Sequence, residues 1–159
     1  MLKEIRMKPI GLVKTEATEE ELKDGRSVSE IILSKDLEQG LEGVEEFSHL
    51  FILFWMHRIP RSKKMVLRVH PRGCRDLPLV GVFATRTPYR LNPIGLTVVE
   101  LIERKGSTLK VKGLDAADGT PVLDIKPCDP WGLDKKIRVP EWWNRLEERS
   151  KKKTKASSI

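Results

Sequence analysis

The run Gly81–Leu96, GVFATRTPYRLNPIGL, restricts the fold more than any other stretch of the 159-residue chain. Pro88 and Pro93 remove backbone donors and fix φ, and the residues before them, Thr87 and Asn92, are driven out of the α region. No ordinary helix passes through here. Apolar, strand-like stretches flank the run, so it reads as a stiff loop on a folded scaffold. It carries Arg86 and Arg90. Arginines on a proline-set loop can hold an anion or a flat ring, or they can be solvated residues of a surface turn.

The surroundings read as short strands. Lys3 to Thr15 begins with alternation, Ile5 and Met7 against Arg6 and Lys8, and Ser27 to Leu33 is a second strand rich in β-branched residues. Leu50 to Met56, LFILFWM, is apolar without alternation. Such a strand has both faces covered, one by the core and the other by a helix, a second sheet or another subunit. Met65 to His70 and Leu79 to Ala84 are further short strands. Leu96 to Arg104 and Thr108 to Gly113 form a hairpin around Lys105-Gly106-Ser107, and Val122 to Lys126 is the last strand. Glu141 to Arg149 is the helix, entered from Pro140, with Trp142, Leu146 and Arg149 on one face; disorder is expected beyond Ser150. Many short strands with little helix, no βαβ alternation and no GxGxxG argue an all-β barrel or sandwich rather than a Rossmann fold. The division expected is a β domain over 1–140 and a C-terminal helix with a basic tail over 141–159.

The formal net charge is +7, and +4 of it falls in the last fifteen residues, where Arg145, Arg149, Lys151, Lys152, Lys153 and Lys155 face Glu147 and Glu148. A basic end attracts polyanions, RNA above all, or simply solubilises a tail. No apolar run is long enough to span a bilayer and the first residues lack an apolar leader core, so a soluble cytoplasmic protein is expected. Cys74 and Cys128 have no CxxC spacing and read as free thiols. His49, His57 and His70 lack a zinc-site spacing, and no GxSxG or Walker loop occurs.

What remains is a set of loops. His57-Arg58 follows the apolar strand, Arg86 and Arg90 occupy the proline-set loop, and Asp115 and Asp118 flank Ala116-Ala117 in GLDAADGTPVLDIKP. Two small residues between aspartates let a flat ligand approach the backbone, and the carboxylates can accept from an amine or from ribose hydroxyls. Each aspartate is also an ordinary turn residue that bonds its own backbone.

Four stretches resemble the TsaA/TrmO family: Pro9-Ile10-Gly11, GLEGVEEFSHLFILFWMH over 40–57, VGVFATRTPYRLNPIGL over 80–96, and GLDAADGTPVLDIKP over 113–127. The resemblance covers most of residues 5–130. It implies a small antiparallel β-barrel that dimerises, with an S-adenosylmethionine pocket at or near the dimer interface. It implies methyl transfer to N6 of a modified adenosine, N6-threonylcarbamoyladenosine, beside the tRNA anticodon at position 37. Carried over position by position, cofactor contacts fall on His57, Arg58, Arg86, Leu96, Asp115, Ala116, Ala117 and Asp118. Arg90 or Arg86 suits the threonyl carboxylate of the substrate, and Lys151, Lys152 and Lys153 suit tRNA phosphates. His57, Asp115 and Asp118 are the candidate bases by residue type. The chain departs from the family at Lys23-Asp24-Gly25-Arg26-Ser27, where the family often has Pro-Arg-Gln. Two other classes stay open on the residues alone: an RNA-binding barrel without catalysis, and an S-adenosylmethionine-binding sensor.

Overall fold

A computed structural model of the chain describes residues 4–60, 66–129 and 138–156, with side chains of the last stretch to Lys151. Its elements are β1 (Gly11–Lys14), α1 (Glu19–Lys23), β2 (Val28–Leu33), β3 (His49–Trp55), β4 (Arg68–Val69), β5 (Val80–Gly81), β6 (Ile94–Lys105), β7 (Thr108–Lys112), β8 (Pro121–Pro127) and α2 (Glu141–Ala156). The chain divides into two compact units. The first comprises residues 1–65 and 88–129, the second 66–87 and 130–159. The units therefore do not part at residue 140, because the segment 66–87 leaves the barrel and groups with the C-terminal region.

In the first unit six strands close into an all-antiparallel barrel in the order β1-β2-β7-β6-β3-β8. The inward residues are the alternate ones that period-two geometry dictates. Val13, Ile31, Leu33, Leu50, Ile52, Phe54, Val99, Leu109, Val111 and Val122 fill the interior. In β3 the apolar run resolves into two faces: Leu50, Ile52 and Phe54 are buried inside, while Phe51, Leu53 and Trp55 lie half-buried outside. β6 is long and carries a bulge at Leu101–Glu103, which bends it around the barrel.

Gly95 lies opposite Phe54. A Cβ there would sit 2.3 Å from the Phe54 ring, so the ring packs flat on glycine backbone. Gly11 is equally tight: a Cβ there would lie 2.4 Å from the Ile32 carbonyl oxygen.

Several sequence expectations change. Residues 4–10 form no strand, and Ile5 is 84% exposed; the alternation there meets no partner strand before Gly11. The strand expected over Leu79–Ala84 is only Val80–Gly81, followed by a 3₁₀ turn over Val82–Ala84. The helix continues to Ala156, past the point where disorder was expected. Lysines solvate well and keep helix propensity, so a basic run propagates a helix that is already nucleated.

In the second unit β4 and β5 pair as a two-stranded ribbon. Pro71, Leu77, Val82 and Leu146 are buried. Asp76 pairs with Arg149, and Arg72 Nη1 donates to the Ser150 hydroxyl at 2.6 Å. These bonds fasten α2 to the 71–77 loop. Charge divides unequally between the units. Residues 1–65 and 88–129 carry 17 basic and 18 acidic side chains, net −1, whereas 66–87 and 130–159 carry 13 and 5, net +8.

Two outcomes test this packing. Gly95→Ala should cost about 1–3 kcal/mol by overpacking against Phe54, read as a fall of several degrees in Tm. The Arg149 guanidinium, by hydrogen bond and then by charge, holds the Asp76 carboxyl below the ordinary value of 3.8. A depressed pKa gives stability that is present above the unfolded value and lost as pH falls through the folded one. The fastening of α2 should therefore persist at neutral pH and loosen only below the ordinary aspartate range, and Asp76→Asn should remove that acid transition in an amide-exchange profile.

Candidate functional site

Antiparallel closure decides which loops meet. The C-terminal ends of β1, β3 and β7 and the N-terminal ends of β2, β6 and β8 share one rim. Four segments therefore meet there: residues 15–27, residues from 56 onward, residues 88–93, and residues 113–120. The segment 34–48 and the Gly106-Ser107 turn lie at the opposite rim.

Hydrogen bonds tie the shared rim together. The Thr15 amide donates to Asp118 Oδ1 at 3.0 Å, and Arg58 Nη2 donates to the Asp118 carbonyl oxygen at 3.0 Å. Gly119 and Thr120 follow in a tight turn bonded to Val13 on both sides. Buried Thr120 places its hydroxyl 3.4 Å from His57 Nδ1. The Gly113 amide donates to the Ser27 carbonyl at 3.0 Å, and a Cβ on Gly113 (φ 88°) would lie 3.1 Å from the Gly25 carbonyl oxygen. The Met56 amide donates to the Pro93 carbonyl at 2.8 Å, which seats the 88–93 segment beside the end of β3. Asp115 accepts from the hydroxyl of Thr97, an inward residue of β6.

The structure thus brings His57, Arg58, Asp115 and Asp118 onto one rim. Ala116 is buried and joins the core, so only its backbone is left to face a ligand, and Ala117 is half-buried beside it. Leu96 does not share this face. It points outward from β6 opposite Leu53 and is 54% exposed. Arg90 is half-buried in the 88–93 segment, its amide bonded to the Pro88 carbonyl. Arg86 is exposed and belongs to the second unit, as does Lys151, which pairs with Glu147 at 3.1 Å. The side chains of Lys152 and Lys153 lie outside the described residues.

An open pocket of about 430 Å³ occupies the β1–β2 connection, lined by Glu16, Ala17, Glu21, Asp24, Arg26, Ser27 and Val28. Sequence reasoning passed over all of these but Arg26 and its neighbours. The available signal was Thr18-x-x-Glu21 followed by Asp24-Gly25, a capping box and a turn enclosing one short helix. Both reciprocal bonds of the box are present, and donation from the Thr18 amide, then from its hydroxyl, holds the Glu21 carboxyl below its ordinary range. Asp24 pairs with Arg26 at 2.8 Å, which leaves Glu16 and Glu21 in excess. The Ser27 hydroxyl is buried without a partner. A negatively biased wall and an orphaned hydroxyl suit a ligand that carries positive charge and hydroxyl or amino groups. Among the described residues no three His, Cys, Asp or Glu side chains group to hold a metal ion.

A small closed barrel with a loop-built ligand rim is the class that these features define. Residues 6–131 match the tRNA-methyltransferase O N-terminal domain, and the chain belongs to that family. An S-adenosyl-L-methionine-binding protein of Archaeoglobus fulgidus is 43% identical over 129 residues, 78% of this chain and 89% of that protein. A protein of Methanothermobacter thermautotrophicus, named a probable S-adenosyl-L-methionine-binding protein, is 46% identical over 129 residues, 78% of this chain and 90% of that one. Among solved structures, TrmO from Pseudomonas aeruginosa superposes with a TM-score of 0.64 at 30% identity, over 87% of this chain. The chain spans 62% of the length of that TrmO.

The rim itself can be probed. Asp118→Ala should free the Thr15 amide, a loss of about 1–2 kcal/mol for a carboxylate-accepted bond. Exchange of that amide should speed up roughly 5- to 30-fold, while the amides of β3 stay protected.

Proposed function

We propose that this protein is an S-adenosylmethionine-dependent methyltransferase that acts on N6 of a modified adenosine next to the tRNA anticodon. The observation that carries the reading is the convergence of three motif-bearing loops, after β3, before β6 and between β7 and β8, on one rim of a barrel of the TrmO family. Bound there, S-adenosylmethionine supplies a methyl carbon on a positively charged sulfur. The chain's residues bind, orient and manage the proton.

The carboxylates of Asp115 and Asp118 and the negatively biased pocket wall favour a cationic cofactor. The backbone of Ala116-Ala117 offers N–H and C=O groups to its flat base. Arg58, held to the Asp118 carbonyl, stiffens the turn. N6 of a carbamoylated adenosine is a weak nucleophile until its proton leaves, so a base assists. His57 is the base in this reading: with Nδ1–H donating to the Thr120 hydroxyl, Nε2 carries the lone pair that takes the proton. Alignment of acceptor nitrogen, methyl carbon and sulfur supplies the rest of the acceleration. Arg90 clamps the substrate carboxylate, away from the sulfonium, whose charge it would oppose.

The barrel's outer face supports a homodimer. Phe51 lies opposite Val98 and Leu53 opposite Leu96, an apolar strip with both β6 residues exposed. An apolar strip of this kind suits a second copy of the chain. A purely RNA-binding barrel is less well supported, since the barrel unit is net −1.

Calorimetric titration of S-adenosylmethionine, paired with a methyl-transfer assay on tRNA, tests the reading. The wild type should bind at micromolar concentration, and Asp115→Ala should weaken binding roughly 10-fold, the loss of a charged partner. His57→Ala should keep cofactor affinity and lower kcat by about 10²–10⁴. A folded wild type that binds no S-adenosylmethionine sinks the proposal.

A further inference from the structure

We infer that the second unit is the RNA-docking module, and that Phe83 is its stacking platform for an unpaired base of the substrate loop. The inference rests on the tRNA reading above and assigns the docking to particular residues. The first observation is charge. Residues 66–87 hold Arg68, Arg72, Arg75 and Arg86, all exposed, against a single acid, Asp76. Arg149 of α2 takes up that acid, so no carboxylate of the segment is left to screen its arginines. With α2 and the residues around it the unit reaches net +8, more than the whole charge of the chain. The positive surface is therefore not a matter of the terminal lysines alone, and a docked helix holds it in register with a folded ribbon.

The second observation is Phe83. It follows β5 in the 3₁₀ turn Val82–Ala84, and its side chain is 85% exposed while its neighbour Val82 is buried. The ribbon carries a second apolar side chain close by in register. Leu67, 69% exposed, receives the Val82 amide on its carbonyl oxygen. Arg68 Nη2 donates to the Leu79 carbonyl at 3.2 Å, which lays its guanidinium along the same ribbon. An exposed aromatic on a unit rich in exposed arginines is what single-stranded nucleic acid uses: the ring stacks on a base and the cations follow the backbone. Bases in an RNA loop are free to splay out onto such a ring, whereas bases in a duplex are not. A second copy is a poorer occupant of this surface, because two units of +8 repel each other.

The test is fluorescence anisotropy of labelled tRNA with the full-length protein over a range of salt, beside calorimetry with S-adenosylmethionine and light scattering. Phe83→Ala should weaken tRNA binding roughly ten-fold or more. Phe83→Leu, which keeps apolar bulk without the ring, should weaken it as much, and Phe83→Trp should restore it. Arg75→Ala should reduce the log–log salt slope by about 0.7, the loss of one phosphate contact. All four variants should bind S-adenosylmethionine as the wild type does. Wild-type affinity in Phe83→Ala, or full affinity in Phe83→Leu, overturns the inference while leaving the methyltransferase reading intact. A halved molar mass in Phe83→Ala with unchanged tRNA affinity also overturns it, in favour of a second copy. A wild type that binds neither tRNA nor S-adenosylmethionine overturns the function proposed above, and this inference with it.

Discussion

Between β1 and β8 only two residue pairs close the barrel, Gly11 opposite Val122 and Leu12 opposite Pro121. Flanking bonds extend the seam, from the Ile10 amide to the Val122 carbonyl at 2.8 Å and from the Val13 amide to the Thr120 carbonyl at 2.9 Å. On its other side β1 pairs with β2, where Gly11 lets the Ile32 carbonyl come within what would be side-chain space. Everything at the ligand rim hangs from the seam. Thr120 bonds to Val13 and faces His57, Gly119 bonds to Val13, and Asp118 holds the Thr15 amide. Without closure, the 113–120 loop would have no fixed partner on the first strand, and the two aspartates would be turn residues on a sheet edge.

The two units differ in charge. The barrel unit holds near-equal numbers of acids and bases, and its rim leans negative where the β1–β2 connection gathers Glu16, Glu21 and Asp24. The second unit holds the chain's excess of positive charge and, among the described residues, the most exposed aromatic, Phe83. A methyltransferase that acts on RNA has two opposite electrostatic tasks, to favour a cationic cofactor and to favour a polyanionic substrate.

Much of the barrel was legible. β2, β7, β8 and the β6–β7 hairpin announce themselves by alternation and turn residues, and Leu109 and Val111 are buried as their spacing requires. The errors have physical causes. Ile5 and Met7 alternate correctly, yet residues 4–10 have no partner strand, and period two without a partner is only a pattern. Leu79 to Ala84 reads as a buried strand, but after Gly81 the backbone turns, and Phe83 faces solvent. In the candidate site, His57, Arg58, Asp115 and Asp118 do converge. Leu96 faces away from them because adjacent residues of a strand point to opposite faces, and Thr97 takes the inward position. Of the pocket between Glu16 and Val28 only the Asp24–Ser27 stretch drew notice in the sequence, because its members are ordinary singly and informative only when folded around one another.

The sequence by itself determined what local physics controls. The prolines at 88 and 93 exclude helix, alternation chooses the inward faces of the strands, and the lysine-rich end supplies more than half of the net positive charge. It also marked Leu50–Met56 as a strand apolar on both faces. Only the tertiary structure decided which loops share a rim, which acid takes up which arginine, and that residues 66–87 group with the C-terminal helix. Those outcomes depend on strand order and on contacts between residues far apart in the chain, such as Thr15 with Asp118 and Asp76 with Arg149. Neither propensity nor periodicity carries information across such distances, because both arise from interactions within a few residues of one backbone segment.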